Sequence, residues 1–268
     1  MFRDITIGQY YKTDSILHNL DPRVKIFATL VYVISIFTFH HFAGFVVAGL
    51  FFFAMVWLSK VPMKFLVRGL KPIVMLLVFT GILHLFFTSG DVVVQMGVLH
   101  ITKQGIYKCV FVTLRLLLMM LGASLLTLTT TPNRLTDGLE KMLRPLNRLH
   151  VPVHELAMMM SIALRFIPIL VEELDKIMKA QLARGADFEE GNIIKRLKNM
   201  MPILVPLFAS AMRRANELAY AMDARCYHGG QGRTKMFPLH YESKDIAAYL
   251  IIVIYVVLLQ VVCRIFAF

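Results

Sequence analysis

Residues Ile246 to Phe268 read IAAYLIIVIYVVLLQVVCRIFAF, and the only charge among them is Arg264. A helix needs roughly 20 apolar residues to cross the hydrocarbon core of a bilayer, and this stretch supplies them. Four more runs of the same kind lie toward the N-terminus: Val24 to Phe39, His41 to Leu58, Pro72 to Thr88 and Tyr107 to Thr130. The first is short, and the segment before it is expected to contribute to its lower end. The 268 residues are 57% hydrophobic, against roughly 45–50% in soluble domains. The expected fold class is therefore all-α, a polytopic membrane protein with about five transmembrane helices.

Charge sets the expected orientation. The net charge is +12, which in a soluble protein would point to nucleic acid. Here the positive-inside rule accounts for it, because Lys and Arg gather in the connections between spans. Arg3, Lys12, Arg23 and Lys25 precede or open the first span, and His40 and His41 form the tight turn after it. Lys60, Lys64, Arg68 and Lys71 crowd the connection between the second and third. That connection and the N-terminus are then cytoplasmic, and five spans put the basic central stretch on the same side. No nucleic-acid partner is expected, and nothing near Met1 has the apolar core of a cleaved signal sequence.

The stretch from Pro132 to Ser243 is apolar in stripes rather than blocks. Leu156, Met159, Met160, Ala163, Phe166, Ile167, Leu170, Leu174, Ile177 and Met178 recur at steps of three and four, as on one face of a helix. Glu172, Glu173, Asp175, Lys176 and Lys179 interrupt that run, so its later half cannot cross hydrocarbon. A second stripe is Leu204, Leu207, Phe208, Ala211, Ala215, Leu218, Ala219 and Met222, with Arg213, Arg214, Glu217 and Asp223 opposite. A shorter helix is expected from Thr131-Pro132, a good N-cap and N1 pair, to Pro145. The expected domains are residues 1–131 with four membrane helices, 132–243 with about three amphipathic helices on the cytoplasmic side, and 244–268 with the last membrane helix. The apolar faces need cover from each other, the membrane interface or a partner protein.

Catalytic and metal signatures are missing from the sequence. Cys109, Cys226 and Cys263 form no Cys-x-x-Cys pair, and His154-Glu155 lacks the second histidine of a zinc-protease motif, since Met158 stands there. Met158, Met159, Met160, Met200 and Met201 fit adaptable packing at a protein interface better than a copper site. Arg115, inside the fourth run, faces either the bundle interior or one membrane surface. Two short segments remain: Ala183-Arg184-Gly185 and Ala224-Arg225-Cys226, each at the expected C-terminal end of a long amphipathic helix. A cation in the last turn and a glycine beyond it are ordinary helix endings. Two helices ending alike in one domain also present two arginines to acidic pockets of a partner.

Three blocks of sequence carry a family likeness. They are Leu20-Asp21-Pro22-Arg23-Val24-Lys25; Thr129-Thr130-Thr131-Pro132 with Leu139-Glu140 and Arg144-Pro145-Leu146; and Ala163-Leu164-Arg165-Phe166-Ile167-Pro168 with Glu172-Glu173 and Ala183-Arg184-Gly185-Ala186-Asp187. Together they resemble the transmembrane T component of energy-coupling factor transporters, over nearly the whole chain. The resemblance implies a scaffold in a prokaryotic cell membrane, without catalytic residues or cofactors of its own. Two ATP-binding-cassette ATPase subunits would bind the ATP. A separate substrate-binding membrane subunit would carry a vitamin or other micronutrient. It also implies that Ala183, Arg184 and Gly185 dock on one ATPase and Ala224, Arg225 and Cys226 on the other. The second motif departs from the pattern where Cys226 replaces glycine. A self-contained secondary transporter or a membrane enzyme is the alternative; the chain shows no internal repeat for the first, and the spans hold almost no carboxylates for the second.

Overall fold

The computed structural model describes residues 10–39, 41–96, 99–186, 193–230, 236 and 238–265. Arg3, His40, Asp187 and the end of the expected fifth span, 266–268, lie outside the described residues. Eight α-helices are present: α1 (Pro22–Thr38), α2 (Phe42–Ser59), α3 (Met63–Phe87), α4 (Lys103–Thr129), α5 (Pro132–Leu143), α6 (Val153–Ala183), α7 (Ile193–Ala224) and α8 (Ser243–Ile265). A 3-10 turn, Arg144–Leu149, follows α5, with Pro145 in its first turn. The chain divides into two compact units, Gly8–Met142 with Leu239–Phe268, and Leu143–Pro238.

The first unit holds the expected spans and is apolar outside as well as inside. Phe53, Trp57, Met75, Phe79, Phe87 and Ile254 all stand exposed. In water such a surface would aggregate, whereas in hydrocarbon it matches its surroundings. The interior is aromatic. Phe51 of α2 stacks on Tyr255 of α8 with ring centroids 4.2 Å apart, and Tyr32 of α1 lies 6.1 and 6.0 Å from them. The Tyr255 hydroxyl is 2.8 Å from the Ser35 hydroxyl. Gly122 of α4 admits the Tyr32 ring, because a Cβ there would stand 2.6 Å from it. Gly122→Val is therefore expected to destabilise the unit by about 1–3 kcal/mol through overpacking. A lowered thermal unfolding temperature in detergent would record it, and an unchanged one would mean that the ring moves aside freely.

Five helices are long and apolar enough to cross a membrane by length and composition: α2, α3, α4, α6 and α8. Four of these match the expected runs. The remaining expected span, α1, has 17 residues, and α6 is long and apolar enough in its place. The short α1 has a physical reason. Its C-cap carbonyl, Phe39 O, accepts a hydrogen bond from Arg115 Nη2 at 2.8 Å, so an interior cation on α4 terminates it. The same guanidinium lies 4.8 Å from the centre of the Phe111 ring. Arg115 thus faces the bundle interior and offsets the negative end of the α1 dipole. In α6 the apolar half before Glu172 is by itself long enough to qualify, and the charged half follows it.

Two features were not anticipated from the sequence. Between α3 and α4 a hairpin forms from β1 (Val92–Met96) and antiparallel β2 (Leu99–Thr102). Thr102 ends it by donating to Thr88 O at 2.8 Å and accepting from Gly105 N at 3.0 Å, so one hydroxyl joins the end of α3 to the start of α4.

The other is a polar cluster at the start of α1 and α8. Asp21 caps α1, accepting from Arg23 N at 2.8 Å, and also receives the Arg23 guanidinium on both oxygens, at 3.0 and 2.7 Å. Asp245 Oδ1 accepts from Asp21 N at 2.9 Å, and its Oδ2 accepts from Glu242 N at 2.8 Å. The buried Lys25 ammonium donates to His18 O and Thr129 O, at 3.0 and 3.1 Å. Arg23 and Lys25, read in sequence as orienting charges, are thus built into the fold. Beside them α5 packs on this unit, since a Cβ on Gly138 would stand 3.1 Å from Pro22.

Candidate functional site

The unit of Leu143–Pro238 is built on α6 and α7. Arg214 Nη2 of α7 donates to Glu173 Oε2 of α6 at 2.8 Å, and Gln181 Nε2 donates to Pro202 O at 3.2 Å. These bonds hold the two helices as a pair. Pro168 lies within α6, and Pro202 and Pro206 lie within α7.

Both helices end at the segments that the sequence singled out. Ala183 is the last residue of α6 and Ala224 the last of α7. Past α6, Gly185 N donates to Leu182 O at 2.9 Å and Ala186 N to Gln181 O at 3.0 Å. Past α7, Cys226 N donates to Asp223 O at 2.9 Å and Tyr227 N to Met222 O at 3.1 Å. Counted from each helix end the bonds are identical, and they are those of the Schellman motif. Its left-handed position holds Gly185 in one case (φ +85°) and Cys226 in the other (φ +54°). The glycine missing from the second motif has therefore not changed the backbone. Cys226 adopts the conformation that glycine takes at lower cost, and an ordinary side chain pays about 1–2 kcal/mol for it. Cys226→Gly is expected to stabilise the end of α7 by up to about 1 kcal/mol. Slower amide exchange at Tyr227 would show it, and unchanged or faster exchange would contradict it.

The two endings present the same surface. Ala183, Arg184, Gly185, Ala224, Arg225 and Cys226 are all exposed, and a Cβ on Gly185 would meet nothing within 4 Å. Each arginine occupies the cap position itself, where the last carbonyls of the helix concentrate negative potential. A main-chain loop held by these bonds thus presents an exposed cation at each helix end.

Elsewhere on this unit, Leu156, Met159 and Met160 of α6 and Leu204, Val205 and Phe208 of α7 stand exposed. Apolar side chains gathered at this density mark an interaction surface. Among the described residues no group of His, Cys, Asp and Glu could hold a metal ion.

A family model described as "CbiQ: Cobalt transport protein" matches residues 13–236. The energy-coupling factor transporter transmembrane protein EcfT of Thermosediminibacter oceani is 50% identical over 248 residues, which cover 92% of this chain and 94% of its own length. The protein of the same name from Ruminiclostridium cellulolyticum is 52% identical over 246 residues, 92% of each chain. That from Bacillus subtilis is 45% identical over 260 residues, 97% of this chain and 98% of its own. These relatives are named as membrane components of transporters and not as enzymes. With apolar helices able to span a bilayer and a family match over most of its length, this chain belongs to the family of transmembrane components of energy-coupling factor transporters.

Proposed function

We propose that this chain couples ATP hydrolysis in two ATP-binding-cassette subunits to substrate uptake by a separate membrane subunit. The observation that carries this reading is the pair of identical helix endings, each displaying an exposed arginine from one braced helix pair. Arg184 docks on one ATPase and Arg225 on the other. When the ATPases close on ATP, their grooves change spacing, and α6 and α7 respond together because Glu173–Arg214 and Gln181–Pro202 link them. The motion reaches the membrane helices through the chain connections at either end of this unit. The exposed Met and Leu side chains of α6 and α7 supply a repackable contact for the substrate-binding subunit. The transported compound is a vitamin or another micronutrient, bound by that subunit rather than by this chain.

In this reading α1, α2, α3, α4 and α8 cross the membrane, the N-terminus is cytoplasmic, and α6 lies outside the hydrocarbon. Glu172, Glu173, Asp175, Lys176 and Lys179 support that placement, since each charge at mid-membrane costs about 2.5–3.5 kcal/mol on insertion scales. The test is purification of the tagged chain from its native membranes in mild detergent. Co-purification of two ATPase subunits with one or more small membrane proteins is the expected result. A chain that purifies alone and still transports would overturn the coupling role.

A further inference from the structure

The ends of α1, α2, α4 and α8 that lie near the Asp21–Asp245 cluster enclose a cavity of about 250 Å³. Leu20, Val24, Phe52, Leu125 and Ile252 form much of its wall, and the small residues Ala28, Ala247 and Ala248 leave it room. Ile16 and Ile251 also line it and are 60% and 44% exposed, so it opens to the outside of the bundle. On membrane helices, that outside is lipid.

The charged residues in its lining are Lys25 and Lys244, two cations and no acid. Lys25 is 7% exposed and bonds two backbone carbonyls. Among the described residues no carboxylate pairs with it within 4.0 Å, and Asp21 and Asp245 act on it only from farther off. Lys244 is exposed, and Glu242 stands 3.6 Å from it with both side chains in solvent, an arrangement that holds the lysine only weakly.

An apolar chamber with two lysines lining one end, opening on a bilayer, fits an amphiphile with a negative head. We propose that the cavity holds one acyl chain of an anionic phospholipid, with the lipid phosphate at Lys244 and the Lys25 side chain behind it. The physics limits where selectivity can arise. An acyl chain gains little by leaving other acyl chains, because both surroundings are apolar, so the cavity contributes shape and contact. Discrimination then comes from the head group, and a basic side chain near the membrane surface is enough for a several-fold preference. The proposal stands apart from ATPase docking, since it concerns lysines and a cavity of the other unit.

The test uses the full chain, in whatever complex it purifies with. It is reconstituted in nanodiscs of equal parts phosphatidylglycerol and phosphatidylcholine with the same acyl chains, then released for native mass spectrometry. The chain is expected to retain one phosphatidylglycerol in several-fold excess over phosphatidylcholine. Lys244→Glu should reduce phosphatidylglycerol to the level of the neutral lipid. Ala248→Phe, which fills the cavity from α8, should reduce both, and Ala28→Phe repeats that test from α1 if the first variant fails to fold. Equal retention of both lipids by the unaltered chain would overturn the proposal, as would indifference to Lys244→Glu. Two folded, cavity-filled variants that keep their lipid would overturn it too, and so would detergent as an adventitious additive only. Any of these results would leave ATPase co-purification untouched, so the two readings fail separately.

Discussion

Replacing Arg184 by glutamate is expected to strip an ATPase subunit from the complex while the chain itself stays folded. Among the described residues the Arg184 side chain has no hydrogen-bond or ion-pair partner within the chain, and it is exposed. The helix ending is held by main-chain bonds from Gly185 and Ala186, which the substitution leaves in place. Reversing a charge in the last turn of α6 costs about 0.3–1 kcal/mol through the helix dipole. Docked and desolvated against an acidic groove, the same arginine would be one half of a buried ion pair. Breaking such a pair costs about 3–5 kcal/mol, which weakens association on the order of a hundred- to several-thousand-fold. Arg184→Lys should fall between, because a compact ammonium keeps the charge and loses the planar fork. The measurements are the ATPase-to-scaffold ratio after purification and the helical circular dichroism of the isolated chain. Arg225→Glu should act in the same way. If both variants kept the complex intact and transport normal, the docking assignment would be wrong.

How far the sequence could be read depended on the range of the interaction. The long spans and the ends of α6 and α7 come from local information, since hydrophobic runs, helical stripes and Gly185 each announce themselves within a few residues. Even the Cys226 ending follows the Gly185 pattern, although a cysteine gives no sign of positive φ. The bounds of α1 were legible too, since Val24 to Phe39 was expected and Pro22–Thr38 is observed, whereas the bond from Arg115 to Phe39 O, 76 residues apart, was not. The β1–β2 hairpin escaped notice because four- and five-residue strands beside long apolar helices give little periodicity, although three consecutive valines before Gly97 were a signal. The cluster around Asp21 was legible only as a family likeness. Its central bond joins residues separated by 224 positions, and a single sequence holds no trace of such a pairing. Arg184 and Arg225 have the opposite character, being defined by local geometry, and under the proposed function their partners lie outside the chain.

Asp245→Ala is expected to be among the most damaging single substitutions in the membrane unit. Asp245 is 3% exposed and serves two helix starts at once. Its Oδ2 reaches back to Glu242 N, the acidic half of a capping box at the start of α8, while its Oδ1 takes Asp21 N at the start of α1. Alanine leaves both N–H groups without that acceptor. The buried Asp21 N–H costs about 1–3 kcal/mol as an orphan, and the part-buried Glu242 N–H about 0.5–2 kcal/mol as a lost helix cap. The loss also spreads, because Asp21 anchors Arg23, whose guanidinium lies 3.8 Å from the centre of the Tyr241 ring. Asp245→Asn keeps one acceptor oxygen and turns a donor toward the other N–H, so its effect should be intermediate. Thermal unfolding in detergent measures all three proteins, and an Asp245→Ala variant as stable as the parent would show that other groups replace both bonds. Acid should attack the same cluster through Asp21. Burial pushes that carboxyl up, but the Arg23 side-chain and backbone hydrogen bonds outweigh it and hold the group below its ordinary 3.8. A carboxylate depressed in this way stabilises the fold at every pH above its unfolded value, and the contribution disappears as pH falls through the folded value. The share of stability due to Asp21 should therefore be constant from neutral pH to about 5, be lost only below about 4, and be missing from an Asp21→Asn variant at every pH.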